Sequence, residues 1–295
     1  MTWVPLALLS AVGAALTALT LKAAVGRGGA LLSTVLYRAI AGVLLLGVVV
    51  ATTGVPAPSP AWWRAIALVL PPEVAGTILF SFALAAGELS LVQPLLGVLP
   101  LFVAVGGIVV LREVPSAPAA LGIACVAAGV YGVGLGGGTS PLAPLRALAR
   151  SRASWYAMGA ALAWTFTAIG HKAGIAAVGP LPWAVTLAFG SSLLLALALP
   201  LVRRRAAATG GAPPAGARWL PLVAAAGASW ALQQVGLQGA LRQAQAGYVV
   251  AISATSTLLA VLLGIVVLGE RASLRARLGG GVLVTVGAVL VALFG

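Results

Sequence analysis

Long apolar runs fill most of the chain, and short polar, Pro-rich or Gly-rich segments separate them. Divided at those breaks, the first half predicts helical spans at about 3–21, 29–53, 61–86, 89–111 and 117–136. The second half predicts spans at about 154–178, 181–202, 219–241, 246–268 and 274–294. Each holds close to the ~20 apolar residues that a helix needs to cross the hydrocarbon core of a bilayer. Strand alternation is absent, which excludes a barrel and leaves helices as the way to satisfy the backbone in lipid. No basic segment precedes the first run, so it reads as a membrane span and not as a cleaved signal.

The two halves resemble each other. GIVVLREVPSAPAALG (107–122) and GIVVLGERASLRARLG (264–279) agree at ten of sixteen positions, at an offset of 157 residues. The same offset pairs Trp62 with Trp219, while TALTLKAA (17–24) and TAIGHKAG (167–174) align at an offset of 150. The longer polar stretch 203–218 in the second half accounts for the difference. Five spans recur in the same order, and an odd number turns the second copy upside down in the membrane. The expected fold class is therefore all-α integral membrane, with ten transmembrane helices as two inverted five-helix repeats, a plan found in secondary transporters. The expected units are 1–136 and 154–295, joined by a linker at 137–153. Within that linker, LAPLRALARSR (142–152) reads either as an amphipathic interfacial helix with Leu142, Leu145 and Leu148 on its apolar side or as a solvated tether. The repeated motif places Glu113 and Glu270 at helix ends beside Arg112 and Arg271, where ion pairing at the membrane surface is expected.

Composition agrees with the pattern: 61% of residues are hydrophobic, only 7% are charged, and the mean hydropathy is +1.13. Seventeen Lys and Arg stand against four acids, giving a formal charge of +13. In a chain this apolar, those cations belong to loops and set orientation, so no nucleic-acid partner is expected. Twelve lie on the face of the first, third, fifth, seventh and ninth connections, and four on the other. That count puts the linker in the cytoplasm and both termini outside. A single Cys125 excludes a disulfide framework and a two-Cys metal site. With one His, no Asp, no paired acids and no HExxH, GxSxG or Walker motif, no enzyme chemistry, metal, cofactor or ATP drive is expected.

Few charges fall inside the spans, so each is informative. Glu73 lies about 15 Å along the third span, near the bilayer midplane. It directly follows Pro71 and Pro72, which donate no backbone hydrogen bonds and are expected to kink the helix. A buried carboxyl there suits binding a cation or exchanging a proton, which makes Glu73 the candidate for proton coupling; a structural ion pair is the plainer reading. Arg38, in the second span, is its expected partner, or else a holder of a substrate carboxylate. On the eighth span, Gln234 and Gln238 share one face, and the 157-residue register sets Trp230 against Glu73 and Gln234 against Thr77. The sixth span adds Trp164, Thr167 and His171. Trp164 and Trp230 are expected to wall a site for an organic cation, or simply to pack. Gln93, early in the fourth span, is a further substrate-binding candidate, and Glu88 and Tyr248 are gate candidates. Small residues in the fifth and tenth spans (Gly129, Gly132, Gly136, Gly279, Gly280, Gly281) are expected to let helices approach closely, within the chain or between protomers.

The L-x-E at the end of the fourth span (Leu111, Glu113), its copy at Leu268-Gly269-Glu270, the following Leu-Gly pairs (121–122 and 278–279) and Val92-Gln93-Pro94-Leu95 resemble the drug/metabolite transporter superfamily, in particular its ten-helix EamA-type members. The likeness covers nearly the whole chain. It implies a transporter moving an amino acid, amine or drug-like metabolite, multi-pass in the cell inner (plasma) membrane, with both termini inside. The second half departs from the pattern, having Val250-Ala251 where the first has Gln93-Pro94. The expected function is secondary transport by alternating access around a cavity lined by the first, third, fourth, sixth, eighth and ninth spans. The expected partners are a small-molecule substrate, the lipid bilayer and, in a coupled version, protons, for a monomer or homodimer. A lipid-linked precursor flippase and a non-transporting membrane scaffold are the alternatives.

Overall fold

A computed structural model describes residues 2–87, 92, 95–134, 151–208, 219–268 and 274–295. Among them every regular element is helical. The first three spans are α1 (Trp3–Gly28), α2 (Ala30–Thr52) and α3 (Pro60–Ala86). The fourth contains a 3₁₀ turn at Leu96–Val98, α4 (Leu99–Gly106) and a π-helical turn at Gly107–Leu111; α5 (Ala117–Gly134) follows. The second half has α6 (Arg152–Val178), α7 (Pro180–Ala208), α8 (Leu220–Leu241), α9 (Ala246–Ser253), α10 (Ser256–Leu268) and α11 (Leu274–Phe294). Four helices, Trp3–Arg27, Ala30–Thr52, Pro60–Ala86 and Pro180–Pro200, are long and apolar enough to cross a membrane.

The surface is arranged for lipid. Val109 is 74% exposed and Leu197 66%, whereas Arg38 is 2% and Glu73 6% exposed. Apolar side chains outside and charges within mark a bundle whose solvent is hydrocarbon over most of its area. The protein is a multi-pass membrane protein.

Packing joins the two halves throughout. The most extensive helix contacts are α5 with α11, α1 with α8, α3 with α6, and α2 with α7. Gly29 and Gly179 make the single-residue turns α1–α2 and α6–α7, at φ 81° and 87°. Glycine reaches this left-handed backbone without the steric cost of a Cβ. The two positions are 150 residues apart, the offset read from the sequence. The glycine seam of α5 and α11 lies within one chain: a Cβ on Gly129 would come 2.6 Å from the Gly280 carbonyl oxygen, and one on Gly287 2.5 Å from that of Gly122. Gly136 lies outside the described residues, as do most of the linker, Glu270 and Arg271.

Three expectations change. The ninth span is two helices, α9 and α10, with a break at Ala254-Thr255. Thr255 Oγ1 donates to the Ile252 carbonyl at 2.7 Å, the local competition by which hydroxyl side chains loosen a helix. By contrast, α3 runs as one helix through Pro71 and Pro72; Pro71 is exposed on the side facing away from buried Glu73. Glu113, finally, does not pair with Arg112. Arg112 adopts φ 57° at the end of the π turn, and the Glu113 carboxylate instead meets Lys172 at 2.7 Å.

Candidate functional site

Midway along the bundle lies a cavity of about 180 Å³, lined by α1, α2, α3, the fourth span, α6, α8, α9 and α10. The expected spans all contribute, and α2 joins them through Tyr37 and Arg38. Both interrupted spans reach the cavity where their helices break, through Leu96 and Leu99 on one side and Ser253, Ala254, Ser256 and Thr257 on the other. Such breaks expose backbone groups to a cavity, which membrane helices tolerate only where protein or water surrounds them.

Among the described residues, the charged part of the cavity lining is one ion pair. Arg38 Nη1 lies 2.7 Å from Glu73 Oε1, as a charge contact without an aligned hydrogen bond. The other guanidinium nitrogens are committed too: Nε donates to Tyr37 Oη at 2.8 Å and Nη2 to Thr77 Oγ1 at 2.6 Å. Thr77 Oγ1 in turn lies 3.3 Å from Glu73 Oε1. The flat face of Arg38 rests on Trp230, 4.1 Å from the ring centroid. Buried charge is costly unless paired and hydrogen-bonded; here Glu73 supplies the counter-charge of Arg38, and Tyr37 and Thr77 supply the hydrogen bonds. Arg38 thus links α2, α3 and α8.

This arrangement sorts the candidates. Glu73, Arg38, Trp164, His171, Trp230 and Gln234 line the cavity together. Two of the expected substrate contacts do not: Thr77 and Gln238, 1% and 0% exposed, stand behind the lining residues. Gln238 Nε2 donates to Gln234 Oε1 at 2.8 Å, which leaves the Gln234 amide nitrogen to face the cavity. The aromatic cage is also revised, since the cation on Trp230 is the protein's own Arg38. Trp164 retains the role of a wall: it packs on Phe80 with ring centroids 5.2 Å apart, and the missing side chain of Gly76 makes room for it. His171 Nδ1 accepts from Trp183 Nε1 at 3.2 Å, so the neutral ring carries its proton on Nε2. Of the gate candidates, Tyr248 lies away from the cavity: its ring stacks on Trp3 and its hydroxyl accepts from Ser116 N at 3.1 Å. Gln93 and Glu88 lie outside the described residues.

Tyr37, Phe80, Ser253 and Thr257 are site residues that the sequence reading missed. A Ser-Ala-Thr-Ser-Thr cluster inside an apolar run was the available signal for the last two. Among the described residues no group of three or more His, Cys, Asp or Glu could hold a metal ion.

Comparison with known proteins agrees with this picture. A solved structure, described only as the crystal structure of a protein, shares the fold with a TM-score of 0.73 at 18% identity, over 99% of this chain and 96% of its own. No curated protein matches the chain. A family model described as the EamA-like transporter family matches twice, over residues 1–135 and 151–293. Those two stretches meet around the cavity just described, and the chain belongs to the EamA-like transporter family, a family of membrane transporters of small molecules.

Proposed function

We propose that this protein is a secondary transporter that carries a small polar or amphipathic metabolite, such as an amino acid or amine, by alternating access through the central cavity. The observation that carries the reading is the cavity itself, midway along the bundle and lined by both halves, with a single ion pair as its charged part. Its volume of about 180 Å³ falls below the ~300–1,000 Å³ of drug-sized pockets, which favours a metabolite over a bulky drug. A ligand there would meet aromatic walls at Trp164 and Phe80, the Gln234 amide and the exposed edge of the Arg38–Glu73 pair.

Two inverted repeats, 1–136 and 154–295, are the framework we propose for the motion. The exchanged pairings α1 with α8 and α3 with α6, and the equivalent turns at Gly29 and Gly179, support that plan. In the proton-coupled version, a proton on Glu73 cancels the carboxylate charge and frees the Arg38 guanidinium to meet a substrate anion. The flippase alternative draws no support from the lateral apolar groove between α2, α3 and α7, because no residue lines both groove and cavity. We place the protein in the cell inner (plasma) membrane, as a monomer or homodimer, with the linker cytoplasmic as the charge count indicates.

A thermal-shift screen of the purified protein against metabolites, run at two pH values, tests the reading. Stabilisation by a ligand that the Trp164→Ala variant no longer recognises, followed by its uptake into proteoliposomes, is the expected result. If no metabolite stabilises the protein at either pH, the scaffold reading takes over.

A further inference from the structure

The two ends of the bundle are each tied by a lysine that the cavity does not use. Near the end of α6, Lys172 Nζ meets Glu113 Oε1 at 2.7 Å and donates to the Ala244 carbonyl at 2.6 Å. Glu113 Oε2 accepts from the backbone N–H of Ala246, the first residue of α9, at 2.7 Å. One carboxylate thereby joins the connection after the fourth span to α6 and to the start of the ninth span. Both groups are only partly buried, with side chains 25% and 18% exposed, so the pair can be rehydrated when it parts. Thr2 Oγ1 bonds to Gln243 at this same end.

At the other end of α1, Lys22 Nζ donates to the Leu84 carbonyl at 2.7 Å and to that of Gly87. Twenty residues of helix separate Lys22 from Thr2, about 30 Å. Ser10, Ala14 and Thr17 line the cavity from the middle of that length. The cavity therefore lies between the two ties. They are also equivalent positions: Lys22 and Lys172 are 150 residues apart, and the gripped carbonyls of Gly87 and Ala244 are 157 apart, the two offsets of the sequence repeat.

We propose that the Lys172–Glu113 pair is the gate contact that closes one end of the cavity, and that Lys22 closes the opposite end. Resting on the alternating-access reading, this assigns Lys172, Glu113 and Lys22 as gating residues: release of one tie opens its own end only. The Lys172–Glu113 contact crosses from the second half of the chain to the first, so a rocking of the halves at that end must part it. The Lys22 contacts lie within the first half, so opening at their end requires α1 to shift against the end of α3.

The test uses a single thiol in the cavity, Ala14→Cys with Cys125→Ala, and a charged membrane-impermeant thiosulfonate added to either side of sealed, oriented vesicles. Lys172→Met and Glu113→Gln are expected to raise the labelling rate at least tenfold from the side of residues 242–246, without a rise from the other. Lys22→Met is expected to do the reverse, and Lys172→Arg to return labelling toward the parent rate. Glu113→Gln keeps an acceptor for Ala246 N, so its effect reports the ion pair and not the helix start. Equal changes from both sides, or no change, would overturn the gate assignment. Because labelling needs no substrate, side-specific opening without transport would count against the transport reading alone, and transport without side-specific opening against the gates alone.

Discussion

Arg38 lays its guanidinium face against Trp230 while its edge meets Glu73, so one side chain of α2 is held by residues of α3 and α8 at the same time. In the register of the repeat, Glu73 and Trp230 are equivalent positions. An acid and an aromatic ring at matching offsets thus meet across a single arginine, which uses both.

Removing one member of that pair strands the other. Glu73→Gln is expected to lower the unfolding free energy by about 3–5 kcal/mol, because Arg38 loses its counter-charge while buried. The double variant Arg38→Met, Glu73→Met is expected to recover most of that loss. Unfolding in detergent decides the matter: a double variant less stable than either single would show that the pair is not the source of the cost.

Gln238 is expected to act through Gln234. Gln238→Met removes a buried carbonyl oxygen that has no partner and also the donor that orients Gln234. Stability should stay within about 1 kcal/mol, since a lost hydrogen bond and a relieved unsatisfied oxygen offset each other. Ligand affinity, measured by titration calorimetry with a hit from the screen, should fall roughly 2- to 10-fold, the equivalent of one net hydrogen bond. Unchanged affinity would remove Gln234 from the recognition site.

The shape of the aromatic wall depends on a glycine. A Cβ at Gly76 would sit 2.7 Å from Trp164, so Gly76→Ala is expected to push that ring into the cavity. The overpacking should cost about 1–3 kcal/mol and shrink the binding space. Tryptophan fluorescence and ligand affinity read the two effects; a variant with both unaltered would show that Trp164 has room to move aside.

The α5–α11 seam offers a paired test. Gly129→Ala drives a methyl into the backbone of α11 and is expected to destabilise by about 1–3 kcal/mol. Nothing lies within 4 Å of a Cβ at Gly279, so Gly279→Ala should be neutral or stabilising by up to about 1 kcal/mol. Equal melting temperatures for the two variants would contradict the close packing.

Much of the fold was legible in the sequence because helix length, polar breaks and duplication are local or periodic signals. The 157-residue offset sets Glu73 against Trp230 and Thr77 against Gln234, and Glu73, Trp230 and Gln234 line one cavity. The partner of Glu113 was not legible, since Lys172 lies 59 residues away in sequence and only the packing of α6 on the first half brings it near. Nor was Tyr37: a tyrosine in an apolar helix reads as core until its hydroxyl is found on Arg38. The interruption of the ninth span carried no Gly or Pro, and hydroxyl residues compete with a helix only where the surroundings allow. Pro71 and Pro72 are the opposite case: they stand inside one continuous helix and do not end it.

Among the described residues, the charged part of the cavity lining is the Arg38–Glu73 ion pair, and His171, accepting a hydrogen bond at Nδ1, faces it as a neutral ring. A unit charge crossing the membrane potential changes in energy by about 2.3 kcal/mol per 100 mV. In a carrier cycle of the kind proposed, the empty site would return across that field without electrical work. The current that accompanies transport would then be set by the charge of the cargo and of any proton that travels with it.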